Sequence, residues 1–248
     1  MSTFILIHDA WHGAWCWRSV TPLLELAGHT VVAPDLPGSG DDLTPLVAVT
    51  LASCVQRVVD LIDIQPPDET LILLGHGLSG MVISQVAEAR AERIGLLVYL
   101  SGLLPQSGET ALQIMQREAN PALEECLVVD DLSISLLPEK AWKILSQESD
   151  QQRIDAAQCL LTPQAILPLI TPVALARRFS LVPRMYLTCR YDLVISPWLQ
   201  GQMYAASPCE QVIWFMTGHA PFFSAPDRLA ARLMGIARLA QKRQVNHV

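Results

Sequence analysis

The chain has 248 residues, 51% of them hydrophobic and only 17% charged, so it can bury a large single core and is too apolar to stay disordered. A net charge of -7, with no basic run longer than a pair such as Lys242-Arg243, argues against nucleic acid as a partner. No apolar stretch approaches membrane-spanning length and no secretory leader is recognisable, so no membrane partner is expected and the compartment reads as cytoplasmic.

Phe4-Ile5-Leu6-Ile7 reads as a first buried strand. A loop rich in His, Trp and Gly follows, from His8 to Trp17. Arg18 to Ala27 has helical spacing through Val20, Leu23, Leu24 and Ala27, with Gly28 as its stop signal. Thr30 to Ala33 is a second strand, ended by the turn-rich Pro34-Asp35-Leu36-Pro37-Gly38-Ser39-Gly40. Thr50 caps a helix to about Ile64, with Leu51, Val55, Val58, Val59 and Ile62 on its apolar face. Leu71 to Leu74 is a strand, Gly75 to Gly80 a sharp glycine-rich turn, and Met81 to Ala89 a helix. Leu96 to Leu100 is the next buried strand. Strands alternating with helices imply a parallel sheet covered on both faces, an α/β fold.

Residues 106–180 break this rhythm. Short helical patterns (Ala111 to Arg117, Glu139 to Gln147, Gln151 to Leu161) are separated by prolines at 121, 138, 163, 168 and 172. The segment reads as a helical lid inserted between strands: residues 1–105 and 181–248 form the core and 106–180 the cap, within a single folding unit. Lids close over ligands and exclude water. The sheet resumes at Arg184 to Thr188 after Pro183. Ser196 to Ala205 is helical, Gln211 to Phe215 is a last strand, Asp227 to Leu239 a last helix, and Gln241 to Val248 a polar tail.

The six cysteines are scattered with no C-x-x-C pair, as expected for buried small hydrophobes in a reducing compartment. His8, His12 and His76 do not have metal-ligand spacing, so no metal is expected. The glycines at 75, 77 and 80 are not a phosphate loop, since no Lys-Ser/Thr follows, and no cofactor is expected.

Several motifs together carry a resemblance. They are Leu6 to Trp17 (LIHDAWHGAWCW), Val32 to Asp42 (VAPDLPGSGDD), the strand-turn-helix around Gly75-His76-Gly77-Leu78-Ser79-Gly80, Tyr99 to Pro105, Asp192 after a strand, and Gly218 to Phe223 (GHAPFF). Jointly they resemble a branch of the α/β-hydrolase superfamily that includes plant methylesterases, hydroxynitrile lyases and small bacterial esterases. The likeness covers nearly the whole chain and is weakest in the lid. It implies an α/β-hydrolase fold with a mostly parallel central sheet, helices on both faces and an inserted helical lid.

The resemblance also implies a triad in the chain order nucleophile, acid, base. Asp192 stands where the family keeps its acid and His219 where it keeps its base. Imidazole suits this work because its pKa lies near neutrality, and a buried carboxylate fixes its tautomer. The backbone N–H groups of Leu78 and Ala10 are the implied oxyanion hole. Two positions depart from the pattern. The apex of the nucleophile elbow holds Gly77, without a side chain, and the nearest hydroxyl, Ser79, belongs to the first helical turn. Asp9 stands where bacterial relatives carry glycine. A carboxylate pointing inward there would repel a developing oxyanion; pointing away, it would tie down the loop or bond His8 or His12. Trp11, His12 and His76 are further pocket candidates, each with a packing role as the alternative.

Three functions follow as expectations. The first is an enzyme on a small, mostly apolar carbonyl or ester-type compound, using His219–Asp192 as a general base without a serine: a lyase, cyclase, decarboxylase, isomerase or water-activating hydrolase. The second is a serine-type carboxylesterase or methylesterase that recruits Ser79 or is a nucleophile-deleted variant. The third is a non-catalytic ligand-binding relative. All three take a small molecule, and a homodimer is compatible with the sequence.

Overall fold

The computed structural model describes residues 1–145, 149 and 151–246. The core strands and helices are β1 (Thr3–Ile7), α1 (Thr21–Leu26), β2 (Thr30–Val32), α2 (Leu51–Asp63), β3 (Leu71–His76), α3 (Ser79–Arg90) and β4 (Ile94–Leu100). After β4 come α4 (Ala111–Met115), α5 (Pro121–Glu124), β5 (Leu127–Val129), β6 (Ser133–Leu136), α6 (Pro138–Leu145), α7 (Gln151–Gln158), β7 (Gln164–Ala165), α8 (Leu167–Ile170) and α9 (Arg177–Leu181). The core resumes with β8 (Arg184–Cys189), α10 (Pro197–Ala206), β9 (Gln211–Phe215), α11 (Pro221–Ser224) and α12 (Pro226–Asn246).

Six strands form one sheet in the order β2-β1-β3-β4-β8-β9, and every pairing in it is parallel. Its central strands carry continuous apolar runs, Phe4–Ile7, Leu71–Leu74 and Leu96–Val98, because both faces are covered. Alternate residues point to opposite faces. Ile5, Ile7, Leu73 and Leu97 pack with Val58 and Ile62 of α2 and Met81 and Val86 of α3. Phe4, Leu6, Leu74 and Val98 pack with Leu24 of α1 and Leu229, Leu233 and Ile236 of α12. Helix α2 starts where Thr50 accepts from the Ser53 N–H and Ser53 answers through the Thr50 N–H, a reciprocal cap. Helix α3 is buried on nearly every side, and Gly80 lets it approach the β4 exit: a Cβ there would lie 2.1 Å from the Leu103 carbonyl oxygen.

The structure departs from the sequence reading in three places. The helix read over 18–27 is the shorter α1, and a tight 3-10 turn at Ala14–Trp17 precedes it. The segment between β4 and β8 is not purely helical: β5, β6 and β7 make a small antiparallel sheet. Its hairpin turns at Asp130, whose carboxylate accepts from the Leu132 and Ser133 N–H groups. The expected tail is largely helix, since α12 runs on to Asn246. The proposed helix end at Ser146-Gln147 and the last two residues lie outside the described residues.

Candidate active site

Three loops at the carboxyl ends of β1, β3 and β8 converge with the loop after β9, where open parallel sheets place their ligands. Buried Asp192, just after β8, accepts at Oδ1 from the N–H groups of Val194 (2.8 Å) and Ile195 (2.9 Å). Its Oδ2 accepts from Gln200 Nε2 at 3.1 Å and lies 2.8 Å from His219 Nδ1. The structure therefore brings Asp192 and His219 together.

The other face of the His219 ring does not look onto an open space. Its Nε2 lies 2.8 Å from Oδ2 of Asp9, at the end of β1. Oδ1 of Asp9 accepts from both implied oxyanion donors, the N–H of Leu78 at 2.5 Å and the N–H of Ala10 at 2.7 Å. Asp9 thus points inward, and its own carboxylate is the anion those donors hold. The elbow glycine explains how it fits. Gly77 has a left-handed φ of +52°. A Cβ built on it would lie 2.0 Å from Asp9 Cγ and Oδ1.

Charge follows from this arrangement. Burial works against a cationic His219, but the charge and hydrogen bond of Asp192, then those of Asp9, outweigh it and raise its pKa to about 10. The neutral-range imidazole expected from sequence is instead an imidazolium between two carboxylates. For Asp9, burial pushes the carboxyl up, yet the hydrogen bond with His219 and the nearby histidines hold it well below the usual carboxylate range. Burial pushes His12 down to about 4. Burial, then the charge on His219, pushes His76 down to about 3.

The remaining candidates separate cleanly. Ser79 lies in the first turn of α3 and donates to the His8 carbonyl, and only 1% of it is exposed. His76 and His12 pack behind Asp9. His76 Nε2 donates to the His219 carbonyl at 2.9 Å and His12 Nδ1 to the Ala10 carbonyl at 2.8 Å. His8 Nε2 accepts from the Leu36 N–H, which makes it a loop tie. Trp11 has a strained φ of +63° and donates through Nε1 to the Ile134 carbonyl of β6 at 2.7 Å.

A cavity of about 130 Å³ opens on Asp9. Trp11, Leu78, Leu112, Met115, Ile134 and Val194 are among its walls, and Asp9 is the one charged side chain lining it. Leu112 and Met115 of the segment after β4 line it, while Leu136 and Trp142 belong to the buried core. Neither His219 nor Asp192 reaches this surface: Asp9 stands between them and the cavity. Asp9, His76 and His219 also bring potential metal-ligand atoms within 4.8 Å of one another. Both ring nitrogens of His219 are spent on carboxylates, Nδ1 on Asp192 and Nε2 on Asp9, so neither offers a lone pair and the set does not fit a metal.

Residues 4–232 match the family described as "Alpha/beta hydrolase family". The chain belongs to the alpha/beta hydrolase family. A methylesterase of Arabidopsis thaliana, Methylesterase 3, is 30% identical over 94% of this chain and 95% of its own. The "Carbendazim hydrolyzing esterase" of Nocardioides sp. (strain SG-4G) is 28% identical over 95% of this chain and all of its own. Among solved structures, a pyrethroid hydrolase from Sphingobium faniae JZ-2 superposes with a TM-score of 0.86 at 27% identity, covering 97% of both chains. An alpha/beta hydrolase with such relatives is an enzyme. Sequence reasoning missed Gln200, a helix-interior glutamine that braces Asp192, and left the direction of Asp9 open. The glycine at 77 was the available signal, since it vacates the volume that Asp9 fills.

Proposed function

We propose that this alpha/beta hydrolase acts on a small, mostly apolar, neutral carbonyl or ester-type compound through the chain Asp9–His219–Asp192, without a serine nucleophile. The observation that carries the reading is the Asp9 carboxylate seated where an elbow side chain would stand, hydrogen-bonded to His219. The esterase names of the relatives point to the same substrate class.

The group facing the substrate is the Asp9 carboxylate, with the His219 imidazolium hydrogen-bonded behind it. Asp9 accepts a proton from water or from an acidic C–H and passes a proton on to the leaving oxygen, while His219 balances its charge from behind. General acid–base work of this kind contributes on the order of 100- to 10,000-fold. The three groups sum to one negative charge, so a substrate carboxylate in this apolar cavity meets repulsion, and neutral esters or ketones are favoured over free keto acids. The segment 106–180 acts as the lid, supplying Leu112, Met115 and Ile134 to the cavity. No described helix is long and apolar enough to cross a membrane, and no cysteine among the described residues forms a disulfide, which supports a reducing, cytoplasmic setting.

A panel of neutral methyl and aryl esters tests the reading. The wild type should turn over at least one, Ser79→Ala should match it, and His219→Gln should fall by about 100-fold or more. Loss of activity in Ser79→Ala, with a covalent adduct on Ser79, would replace this reading with the serine-esterase one. Ligand binding without turnover would replace it with the non-catalytic one.

A further inference from the structure

We propose that this chain associates with copies of itself: the acidic, apolar hairpin β5–β6 of one copy docks in a basic, apolar groove between β9 and α12 of a second. The groove shares no wall with the Asp9 cavity, and the contact does not depend on what that cavity binds.

The groove has a volume of about 660 Å³. One side is β9, an edge strand paired with β8 alone. The other is α12, where Arg228, Arg232, Gly235 and Leu239 recur at helical spacing on one face. Over that stretch the helix rises about 16 Å. A Cβ on Gly235 would meet nothing within 4 Å, so the middle of the groove is open. Trp214 on its rim is 48% exposed. Three cations line it, Arg228, Arg232 and Arg238, and no described acidic residue does. None of the three makes an ion pair among the described residues. Arg228 instead lies 5.7 Å from the centre of the Phe215 ring, and Arg190 the same distance from that of Trp214. Asp227 and Glu210 border the groove in sequence and do not line it. An unpaired basic groove on a chain with a net charge of -7 is complementary to an anionic, partly apolar partner.

The same chain carries such a surface. β5 is the edge strand of the small antiparallel sheet. Val128, Val129 and Leu132 of its hairpin are exposed, Val129 at 65%. An apolar edge of this kind is a template for pairing with another chain. Asp130 and Asp131 form the tip, Glu124 and Glu125 precede it, and no Lys or Arg occurs between Arg117 and Lys140. Asp130 is spent on the Leu132 and Ser133 N–H groups of its own turn, so exposed Asp131 is the carboxylate presented outward. A four-residue hairpin arm is about 13 Å long, within the length of the groove. In the docked pair Val129 and Leu132 cover Trp214 and Leu239, and Asp131 meets Arg228 and Arg232. Copies of like net charge repel at range, but ~0.1 M salt screens that beyond about 10 Å, while charges in contact still attract. Hairpin and groove are different surfaces, so one docking event leaves one of each free, to be closed by a reciprocal second contact or by growth.

Sedimentation velocity of the 248-residue chain at micromolar concentration tests this. In ~0.1 M salt the wild type should sediment as a dimer or larger, and in ~1 M salt, where the screening length is about 3 Å, it should shift toward monomer. Arg232→Glu and Asp131→Arg, each with its melting temperature measured to establish folding, should each weaken association by ~10-fold or more. Mixed in equal amounts, the two variants should associate again. The acidic hairpin of the Arg232→Glu copy meets the intact groove of the Asp131→Arg copy, and the two reversed charges meet in the other contact. A monomeric wild type would overturn the proposal. So would an oligomer that neither salt nor the two folded variants weaken, which would place the interface elsewhere, and so would a mixture that stays monomeric.

Discussion

Asp9 and Gly77 occupy one volume between them: a Cβ on Gly77 would fall 2.0 Å from Asp9 Cγ. The two positions therefore exchange only as a pair. Gly77→Ser alone must displace the carboxylate from its donors and place a side chain at φ +52°. The expected cost is about 1–3 kcal/mol, with no new esterase activity. The double variant Asp9→Gly, Gly77→Ser vacates the hole and supplies a hydroxyl beside His219. It should cleave aryl esters and be inactivated by a serine-directed sulfonyl fluoride. Melting curves and nitrophenol release check both; a single variant as active as the double would show that Asp9 yields without cost.

Replacing Asp9 itself separates its charge from its shape. Asp9→Ala leaves two buried N–H donors and an imidazolium without their anion. Breaking a buried pair this way costs about 3–5 kcal/mol. Asp9→Asn keeps an oxygen for Leu78 and Ala10 and offers an N–H to a neutral His219. It should lose less than half as much stability, while turnover on neutral esters falls by about 100-fold or more. Denaturant midpoints set against activity read the split.

Acid and alkali should both weaken the fold, each through identified histidines. The His219 pKa is raised from 6.5 to about 10, so its contribution is complete below pH 6.5 and is lost as pH rises through about 10. His12 and His76 are lowered, to about 4 and about 3. The unfolded chain protonates them first, so stability also falls as pH drops below 6.5. The depressed Asp9 carboxyl acts in the same acid range, below its unfolded value of 3.8, through the ion pair already counted for His219. Stability should peak near neutrality. Nitrogen NMR of labelled histidine would find His219 still protonated at pH 8 and His12 and His76 neutral at pH 6. A neutral His219 at pH 8 contradicts the ion chain.

The strands and helices of the core were readable because buried parallel strands are short continuous apolar runs between caps and turns. Asp192, His219, Leu78 and Ala10 were identified by a resemblance in chain order, and the structure brings these four around one point. What the pattern could not give was the direction of Asp9, because its position is a matter of tertiary room. Only the absent side chain at 77, 68 residues away in sequence, makes that room. The hairpin at Leu127–Leu136 escaped because its strands are three and four residues long and its turn uses Asp130 without glycine or proline. Gln200 was hidden in an apolar helix, where a polar residue has meaning only through its partner.

Gln200 supports the acid rather than the substrate. Its Nε2 donates to Asp192 Oδ2 and to the Ile195 carbonyl, at 3.1 and 2.6 Å, and its Oε1 accepts from the Cys189 N–H at 3.3 Å. Gln200→Leu leaves a buried carboxylate with one donor fewer, at a cost of about 1–3 kcal/mol. Asp192 is still held by the Val194 and Ile195 N–H groups, so the protein should fold with a lower melting temperature. The carboxylate Oδ2 then relies on His219 alone, binding it more tightly, so the His219 pKa should move up and proton transfer through Asp9 to the leaving group should slow. The expected signature is a fall in kcat with KM little changed, since Gln200 does not line the cavity. A rise in KM at constant kcat would instead mean that Gln200 acts by shaping the cavity through Val194 and Ile195.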